Sequence, residues 1–458
     1  MKRPLLITLA LILGFTTTQA QQDSLMLRKI YDEALVNGQS YQNLRYLCKN
    51  IGGRLSGSAN AQKAVEWGKK LMEGYGFDKV FLQEVMVPHW ERGAKEVGYI
   101  INGSKKIPVK LCALGMAVAT PPQGITASVI EVHSLAELAT LGEKAIKGKI
   151  VFFNRPFDPR FIQTLAAYGT AGDQRRAGPS AAAKYGAVGV IVRSLTESND
   201  DYPHTGATLY TDDAPKIPAA ALSVKAANQL SALLKSHPVK FYFKQNCRQL
   251  PDALSYNVIG EMTGSEHPNR FITFGGHLDS WDLAEGAHDD GTGVIQGLEA
   301  LRVLKATGYR PKNSLRAVFF MNEENGDRGG LKYAELGDKN KEEHIAAIES
   351  DLGGFTPRGF SFDGPSTVQM QSINHNWKKL LEPYDADKLI VGGSGSDIEP
   401  LRKYYPKAAL IGFLPDSQRY FDVHHTPNDV FENVNKRELE LGAAAIASLV
   451  YLIDMRGI

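Results

Sequence analysis

The stretch Phe271-Ile-Thr-Phe-Gly-Gly-His277-Leu-Asp279-Ser-Trp-Asp282 decides the fold of this chain. It begins with alternating β-branched and aromatic residues, which predict a buried strand, and the two glycines that follow allow the backbone to turn tightly. His277 and Asp279 therefore come at the carboxyl end of the strand, where open α/β sheets collect their ligands. Imidazole nitrogen and carboxylate oxygen suit a zinc-like divalent ion. The sequence thus predicts a metal site at this end of the strand.

Three later apolar runs of strand length also precede acidic residues or histidines. These are residues 314–320 before Glu323-Glu324, residues 345–350 before Asp351, and residues 408–414 before His424-His425. Helical periodicity is clear between and after these runs, over residues 292–307 and 436–455. Strands that alternate with helices predict an α/β fold with a mixed, mostly parallel sheet flanked by helices.

The chain divides by composition into a leader and two modules. Residues 1–20 combine a basic start, a short apolar run and small residues around Ala20, which predict a secretory signal peptide and a secreted or periplasmic protein. Residues 21–104 and 246–458 are predicted to form two parts of one domain, the second of which carries the metal site. Residues 105–245 hold short strands with interleaved helices and no ligand cluster, and they predict an inserted β-rich domain.

The overall charge argues against one class of partner. The 458 residues carry a formal net charge of +2 with no Lys/Arg cluster, so no nucleic-acid partner is expected. No segment after the leader is long and apolar enough to cross a bilayer, so no membrane attachment is expected after signal removal. The three cysteines, Cys48, Cys112 and Cys247, are scattered singly and are expected to be buried apolar residues.

Each polar cluster also has a structural explanation when it is taken alone. The acidic pair Asp289-Asp290 could cap a helix, and Glu323-Glu324 could lie in a solvated loop. The recurrence of such clusters after successive strands has no explanation of this kind. Adjacent carboxylates repel one another unless a positive charge compensates them, and a pair of divalent cations would do so.

A pair of zinc ions can be assigned to these residues. Two ions about 3.5–4 Å apart need one shared oxygen ligand and separate ligands on each side. Asp289 suits the shared carboxylate because it lies between the other clusters along the chain. His277 and Asp351 then complete one site, and Glu324 and His425 complete the other, with an open position at each ion. The prediction is therefore two zinc ions per subunit.

Glu323 remains beside these ligands and is the predicted general base. It would take a proton from a water shared by the two ions, direct the hydroxide at a peptide carbonyl, and pass the proton to the leaving amine. Asp279 is expected to orient His277, and Asp429 is expected to orient His425 in the same way.

Several longer motifs resemble the co-catalytic zinc exopeptidases that carry a protease-associated domain, and in particular their glutamate carboxypeptidase branch. The motifs are Cys48–Gly57, Pro88–Gly93, Thr120–Thr126, Pro203–Gly206, Lys216–Pro218, Gly276–Asp282, Glu349–Asp351 and His424-His425. The resemblance implies the zinc exopeptidase fold, with residues 105–245 as the protease-associated domain. It also places the family's zinc ligands on the five residues assigned above and its catalytic glutamate on Glu323. The peptide bond that corresponds to Asp289–Asp290 is typically cis in this family.

The resemblance implies activity on dipeptides or short peptides, and homodimers occur in the family. A carboxypeptidase or dipeptidase is the first prediction. An aminopeptidase of the same fold and a non-catalytic, receptor-like binding protein are the alternatives. Tyr420, His424 and Asp397 are the candidates for contact with the substrate.

Overall fold

The computed structural model of the protein describes the backbone of residues 3–458 and the side chains of residues 19–458. The signal peptide predicted for residues 1–20 falls almost wholly outside the side chains so described, and it stays a prediction. Within the described residues, no helix combines the length and the apolar character that crossing a bilayer requires. Cys48, Cys112 and Cys247 are buried and unpaired, as predicted.

The secondary structure alternates between strands and helices along most of the chain. The strands are β1 (Lys79–Glu91), β2 (Val97–Asn102), β3 (Lys105–Pro108), β4 (Leu111–Ala113), β5 (Ile125–Val132), β6 (Ile150–Phe153), β7 (Gly189–Arg193), β8 (Ala219–Leu222), β9 (Lys240–Lys244), β10 (Arg248–Met262), β11 (His267–His277), β12 (Asn313–Phe320), β13 (Glu343–Glu349), β14 (Pro357–Asp363), β15 (Lys388–Val391) and β16 (Ala409–Pro415). The helices are α1 (Arg3–Asn37), α2 (Ser40–Tyr46), α3 (Ala59–Gly74), α4 (Leu135–Ile146), α5 (Thr164–Ala171), α6 (Asp173–Arg176), α7 (Gly178–Lys184), α8 (Val224–Leu234), α9 (Thr292–Ala306), α10 (Arg328–Lys339), α11 (Thr367–Leu381), α12 (Leu401–Tyr404), α13 (Tyr420–Val423) and α14 (Lys436–Arg456).

The first sheet has the strand order β1-β10-β12-β11-β13-β16-β14-β15. Its four central strands, β12, β11, β13 and β16, run parallel to one another. The flanking pairs β1·β10, β10·β12 and β14·β16 are antiparallel. This arrangement confirms the predicted mixed α/β sheet, and it brings the carboxyl ends of the four central strands to one edge.

Helices cover both faces of this sheet. Along β12, Leu315 and Phe319 pack in the core that α1, α3, α9 and α14 form on one face. Val318 and Phe320 point to the other face, against Tyr333 of α10. Because successive strand residues face opposite sides, a strand between two helical layers is apolar throughout, and every residue of β12 except Asn313, Ser314 and Arg316 is apolar.

The second sheet has the strand order β3-β2-β9-β5-β6-β7-β8-β4, with β5 to β8 parallel. It begins at Val97, eight residues before the boundary that the sequence predicted at residue 105. Gly103, with a φ of 60°, forms the tight turn of the β2–β3 hairpin. Strand β2 also pairs with β9, so residues 97–102 are part of the second sheet.

Candidate metal centre

The predicted ligands meet at the carboxyl edge of the central parallel strands. Asp289 lies in the short π-helical turn Ala287–Gly291 at the start of α9. The other four lie at the end of a central strand or in the loops that follow: His277 ends β11, Glu324 follows β12, Asp351 follows β13, and His425 follows β16 and the short helix α13. Residues that are up to 148 positions apart in sequence are therefore neighbours in space.

Asp289 stands between the two histidines. Its Oδ1 atom is 3.3 Å from His277 Nε2, and its Oδ2 atom is 3.1 Å from His425 Nε2. On the outer sides, Asp351 Oδ1 is 3.6 Å from His277 Nε2, and Glu324 Oε2 is 3.2 Å from His425 Nε2. The five side chains thus form two donor groups that share one carboxylate.

These donors fit zinc. Two ligands on one tetrahedral zinc, each bonded at about 2.0–2.1 Å, are about 3.3–3.4 Å apart, and the observed separations run from 3.1 to 3.6 Å. Within the described residues, His277 Nε2, Asp289 Oδ2 and Asp351 Oδ1 are buried without a hydrogen-bond partner. Buried polar atoms are rarely left unpaired, so these atoms are poised to receive a ligand such as a metal ion.

Protonation of the cluster is linked to the binding of a cation. Burial raises the pKa of Glu324 to about 8 and that of Asp351 to about 6. Burial alone would lower the pKa of His277, but the neighbouring carboxylates of Asp289 and Asp351 raise it well above its usual range. Metal ligands must be deprotonated, so binding of a cation here would release protons.

Asp279 orients His277 through its main chain and not through its carboxylate. The His277 ring is oriented by the main-chain carbonyl of Asp279, which lies 2.9 Å from Nδ1, whereas the carboxylate Oδ1 is 3.8 Å from Nδ1. Instead, Oδ1 accepts hydrogen bonds from the main-chain N–H groups of Asn322 (2.6 Å) and Glu323 (3.2 Å). The turn after β11 directs the carboxylate toward these free donors, so Asp279 positions the loop that carries Glu323.

Asp429 and Asp290 also bind main chain. Asp429 was predicted to orient His425. Its carboxylate instead accepts hydrogen bonds from the N–H groups of His288 (2.8 Å) and Asp289 (3.2 Å). Asp290 lies within ligand distance of the His277 group, but its oxygens accept the N–H groups of His277 (3.1 Å) and Gly293 (3.0 Å). The Asp289–Asp290 bond is cis. Both carboxylates therefore fix the backbone around Asp289.

Glu323 faces a cavity of about 370 Å³ that opens beside the donors. Its Oε1 atom accepts a hydrogen bond of 2.6 Å from the Ser396 hydroxyl, and its Oε2 atom is 3.9 Å from His277 Nε2. Glu323 is thus held next to the donor groups but remains open to the cavity.

Two of the three predicted substrate contacts line this cavity. They are Tyr420 and His424; the His424 ring stacks on His425 with 3.6 Å between ring centres, and its Nε2 atom is 3.6 Å from Asp289 Oδ2. Asp397 does not line the cavity: it is only 1% exposed, and burial and the nearby Glu349 raise its pKa well above the usual range. The preceding residue Ser396 faces the cavity instead, so the prediction for Asp397 was wrong by one residue.

The inserted domain supplies a wall of the cavity that the sequence did not predict. The residues of this wall are Leu165, Tyr168, Arg175, Arg176, Ala207 and Leu209. Arg176 is exposed, and its side chain makes no hydrogen bond or ion pair with the described residues. The basic pair Arg175-Arg176 was the one feature of the sequence that could have indicated this wall. A pair of arginines is equally typical of a solvent-exposed helix face, and the sequence does not show that it lies beside the cavity.

His204, from the same domain, is buried next to His425, and we expect it to make the fold sensitive to acid. Burial, together with the charge of His425, lowers the pKa of His204 from 6.5 to about 3. The folded state then binds fewer protons than the unfolded state between these values, so stability falls as the pH falls through this window. The contribution lost between pH 7 and pH 4 is about 3 kcal/mol.

Urea unfolding of the wild type and His204→Phe at pH 7 and pH 4 measures this effect. The variant is expected to lose about 3 kcal/mol less than the wild type over this interval. An equal loss in both proteins would show that His204 does not titrate in the unfolding equilibrium.

Comparisons with known proteins agree with this geometry. Residues 257–450 match peptidase family M28, and residues 115–230 match the PA domain. The chain is 34% identical to carboxypeptidase Q from Bos taurus, and the match covers 93% of this chain and 86% of the relative. Carboxypeptidase Q from Homo sapiens matches with the same identity and the same coverage of both chains.

Solved structures show the same fold. The peptidase M28 precursor from Shewanella amazonensis superimposes with a TM-score of 0.90 at 29% identity, covering 95% of this chain and 97% of that one. A zinc aminopeptidase from Bacillus subtilis shares the fold with a TM-score of 0.61 at 20% identity, covering 90% of this chain and 93% of that one. The chain therefore belongs to peptidase family M28, with an inserted PA domain, and is a zinc-dependent metallo-exopeptidase.

Proposed function

We propose that this enzyme hydrolyses dipeptides or short peptides by removing the carboxyl-terminal residue, and that it does so with two zinc ions per subunit. The observation that carries the proposal is Arg176, a cation that makes no hydrogen bond or ion pair with the described residues, on the wall of the cavity that Glu323 faces. An arginine binds a carboxylate by paired hydrogen bonds, and a free carboxylate marks the end of a peptide.

The two ions would share Asp289. His277 and Asp351 would complete the first site, and Glu324 and His425 the second, in keeping with separations of 3.1–3.6 Å between their donor atoms. Bound zinc supplies Lewis-acid chemistry, which polarises a carbonyl and makes water a better nucleophile at neutral pH.

Glu323 would act as the general base and then as the general acid. It takes a proton from the attacking water and donates it to the nitrogen of the scissile C–N bond. The C–N bond then breaks, and the protonated nitrogen leaves as part of an amine. Ser396 and Asp279 support this role, because the first holds the carboxylate and the second holds the main chain of Glu323. A base that is fixed before the substrate arrives needs little reorganisation during the reaction.

An aminopeptidase of the same fold is the second candidate, and Asp327 favours it. This residue also lines the cavity, and burial together with the charge of Glu323 raises its pKa to about 6. An ionised Asp327 would attract the ammonium group of a peptide, as Arg176 would attract its carboxylate.

Substrate blocking separates the two functions. We expect the enzyme to cleave free dipeptides and N-acetylated dipeptides, to cleave C-terminally amidated dipeptides poorly, and to lose all of this activity with a zinc chelator. Cleavage of amides together with rejection of N-acetylated substrates would favour the aminopeptidase. Absence of chelator-sensitive hydrolysis would contradict both.

Arg176→Gln is expected to lower kcat/KM on a free dipeptide by about 10- to 100-fold, since a hydrogen bond to a charged group contributes about 1.5–3 kcal/mol. The residual activity on the amidated dipeptide should change little, because the amide carries no charge for Arg176 to bind. Arg160→Gln is the matched control, since Arg160 is a solvent-exposed arginine of the same domain that pairs with Asp158. An equal loss on both substrates would contradict the role of Arg176.

We also propose that the enzyme is secreted or periplasmic and that it forms a homodimer. The leader-like composition of residues 1–20 supports the first statement, and the resemblance to a family with dimeric members supports the second. Fractionation of cells and light scattering of the purified enzyme test them separately.

A further inference from the structure

The inserted domain reaches the metal centre through the segment Pro203–Gly206. The Thr205 N–H donates a hydrogen bond of 2.9 Å to the main-chain carbonyl of His425. In the opposite direction, His425 Nδ1 lies 3.3 Å from the Thr205 carbonyl. The main chain of Thr205 therefore contacts both the main chain and the ring of His425.

This pairing defines how the His425 ring can act. Its Nε2 atom faces Asp289 at 3.1 Å and Glu324 at 3.2 Å. When Nε2 binds a metal, the proton of the neutral ring is on Nδ1, which then donates to the Thr205 carbonyl. An outer hydrogen-bond partner of this kind fixes the tautomer and the orientation of a ligating histidine.

Arg175 holds the carbonyl that His425 uses. Its Nη1 atom donates to the Thr205 carbonyl at 3.2 Å and lies 3.4 Å from His425 Nδ1, while Nη2 donates to the Tyr168 hydroxyl at 2.7 Å. The side chain is 6% exposed. Gly206 has a φ of +125°, and a Cβ at this position would collide with the Arg175 guanidinium. The absence of a Cβ at Gly206 therefore leaves room for the Arg175 guanidinium.

Arg175 differs in this respect from its neighbour Arg176. The Arg176 side chain is exposed and makes no hydrogen bond or ion pair with the described residues, whereas the Arg175 guanidinium is buried and bonded to its own domain. The first is free to bind a ligand, and the second is engaged in structure around His425.

We propose that Arg175 is a positioning residue for the metal centre: by fixing the Thr205 carbonyl it orients His425, so that the inserted domain completes one of the two metal sites. The proposal rests on the two-zinc assignment of the proposed function. It predicts a selective defect, because His277 and Asp351 make no contact with this segment among the hydrogen bonds of the described residues.

Zinc content per subunit, measured after dialysis against a weak chelator, tests the proposal. The wild type should keep two ions, and Arg175→Met should keep one, with zinc affinity at the weaker site reduced about 10- to 100-fold. Arg175→Lys, which retains a donor, should recover part of this affinity. Arg193→Met is the matched control, because Arg193 bonds only to Asn154 and Asn228 within the inserted domain.

Cobalt substitution adds a readout that a general loss of stability does not reproduce. The absorption band of one cobalt site should disappear in Arg175→Met while the other persists. Retention of two zinc ions with wild-type chelator resistance would overturn the proposal, and so would loss of both ions together or an equal loss in Arg193→Met. A wild type that holds fewer than two ions would instead contradict the proposed function.

Discussion

Replacing Glu323 with glutamine is expected to lower kcat by about 100- to 10,000-fold, the range that general acid–base catalysis contributes, while both zinc ions stay bound. Glutamine has nearly the same shape, and its carbonyl oxygen can still accept the hydrogen bond that Ser396 donates to Glu323 at 2.6 Å. It cannot take a proton from water. The loss should therefore appear in kcat, with KM for a dipeptide little changed.

The measurement combines steady-state kinetics with zinc analysis on the same preparation. Glu335→Gln is the control, because Glu335 lies exposed on α10, away from the cavity. Near-normal turnover by Glu323→Gln would remove Glu323 from the mechanism. Loss of zinc along with turnover would show that Glu323 acts as a ligand and not as the base.

The position of the site follows from the sequence because it depends on topology more than on detail. Parallel strands end at one edge of a sheet, so polar residues at or shortly after the ends of β11, β12 and β13 were expected to lie at that edge. His277, Glu324 and Asp351 are such residues. Their chemistry could also be predicted, because imidazole and carboxylate donors in this combination suit zinc. Neither the place of the site nor its preference for zinc depends on the conformation of a particular side chain.

The contacts of Asp279 and Asp429 could not be predicted in this way. Each lies two or four residues from a histidine, and proximity in sequence pointed to that histidine as its partner. The carboxylates instead accept main-chain N–H groups, those of Glu323 and of Asp289 among them. Which donor a short side chain reaches depends on the turn that carries it, and the sequence does not specify that turn.

Helix α10 shows how tertiary packing overrides local preference. It begins at Arg328 and continues with Gly329 and Gly330, which are poor helix formers. A Cβ at Gly329 would collide with the main chain of Met321, and one at Gly330 with that of Asp397. The glycines therefore allow close packing against the loops around the cavity, and this helix was not predicted from the sequence.

The bridging role of Asp289 leads to the second large expected effect. Asp289→Asn keeps the shape of the side chain but replaces one carboxylate oxygen with an NH₂ group, which cannot bind a cation. Only one of the two donor groups can then use residue 289. Since even an outer partner of a ligand contributes about 10- to 100-fold to metal affinity, the loss of the ligand itself should exceed this, and hydrolysis should fall with it.

Zinc binding by the folded enzyme can be followed without activity, through its effect on unfolding. A ligand that binds only the folded state raises the midpoint temperature as its concentration increases. We expect this rise to be large in the wild type, small in Asp289→Asn, and unchanged in Asp338→Asn, whose side chain is exposed on α10. The contrary result would be that Asp289→Asn binds two zinc ions and shows the same rise in midpoint temperature as the wild type. The two carboxylate oxygens of Asp289, at 3.3 Å from His277 Nε2 and 3.1 Å from His425 Nε2, would then not bridge the ions. The two sites would then be independent, and Glu324 and Asp351 would have to hold their ions without a shared carboxylate.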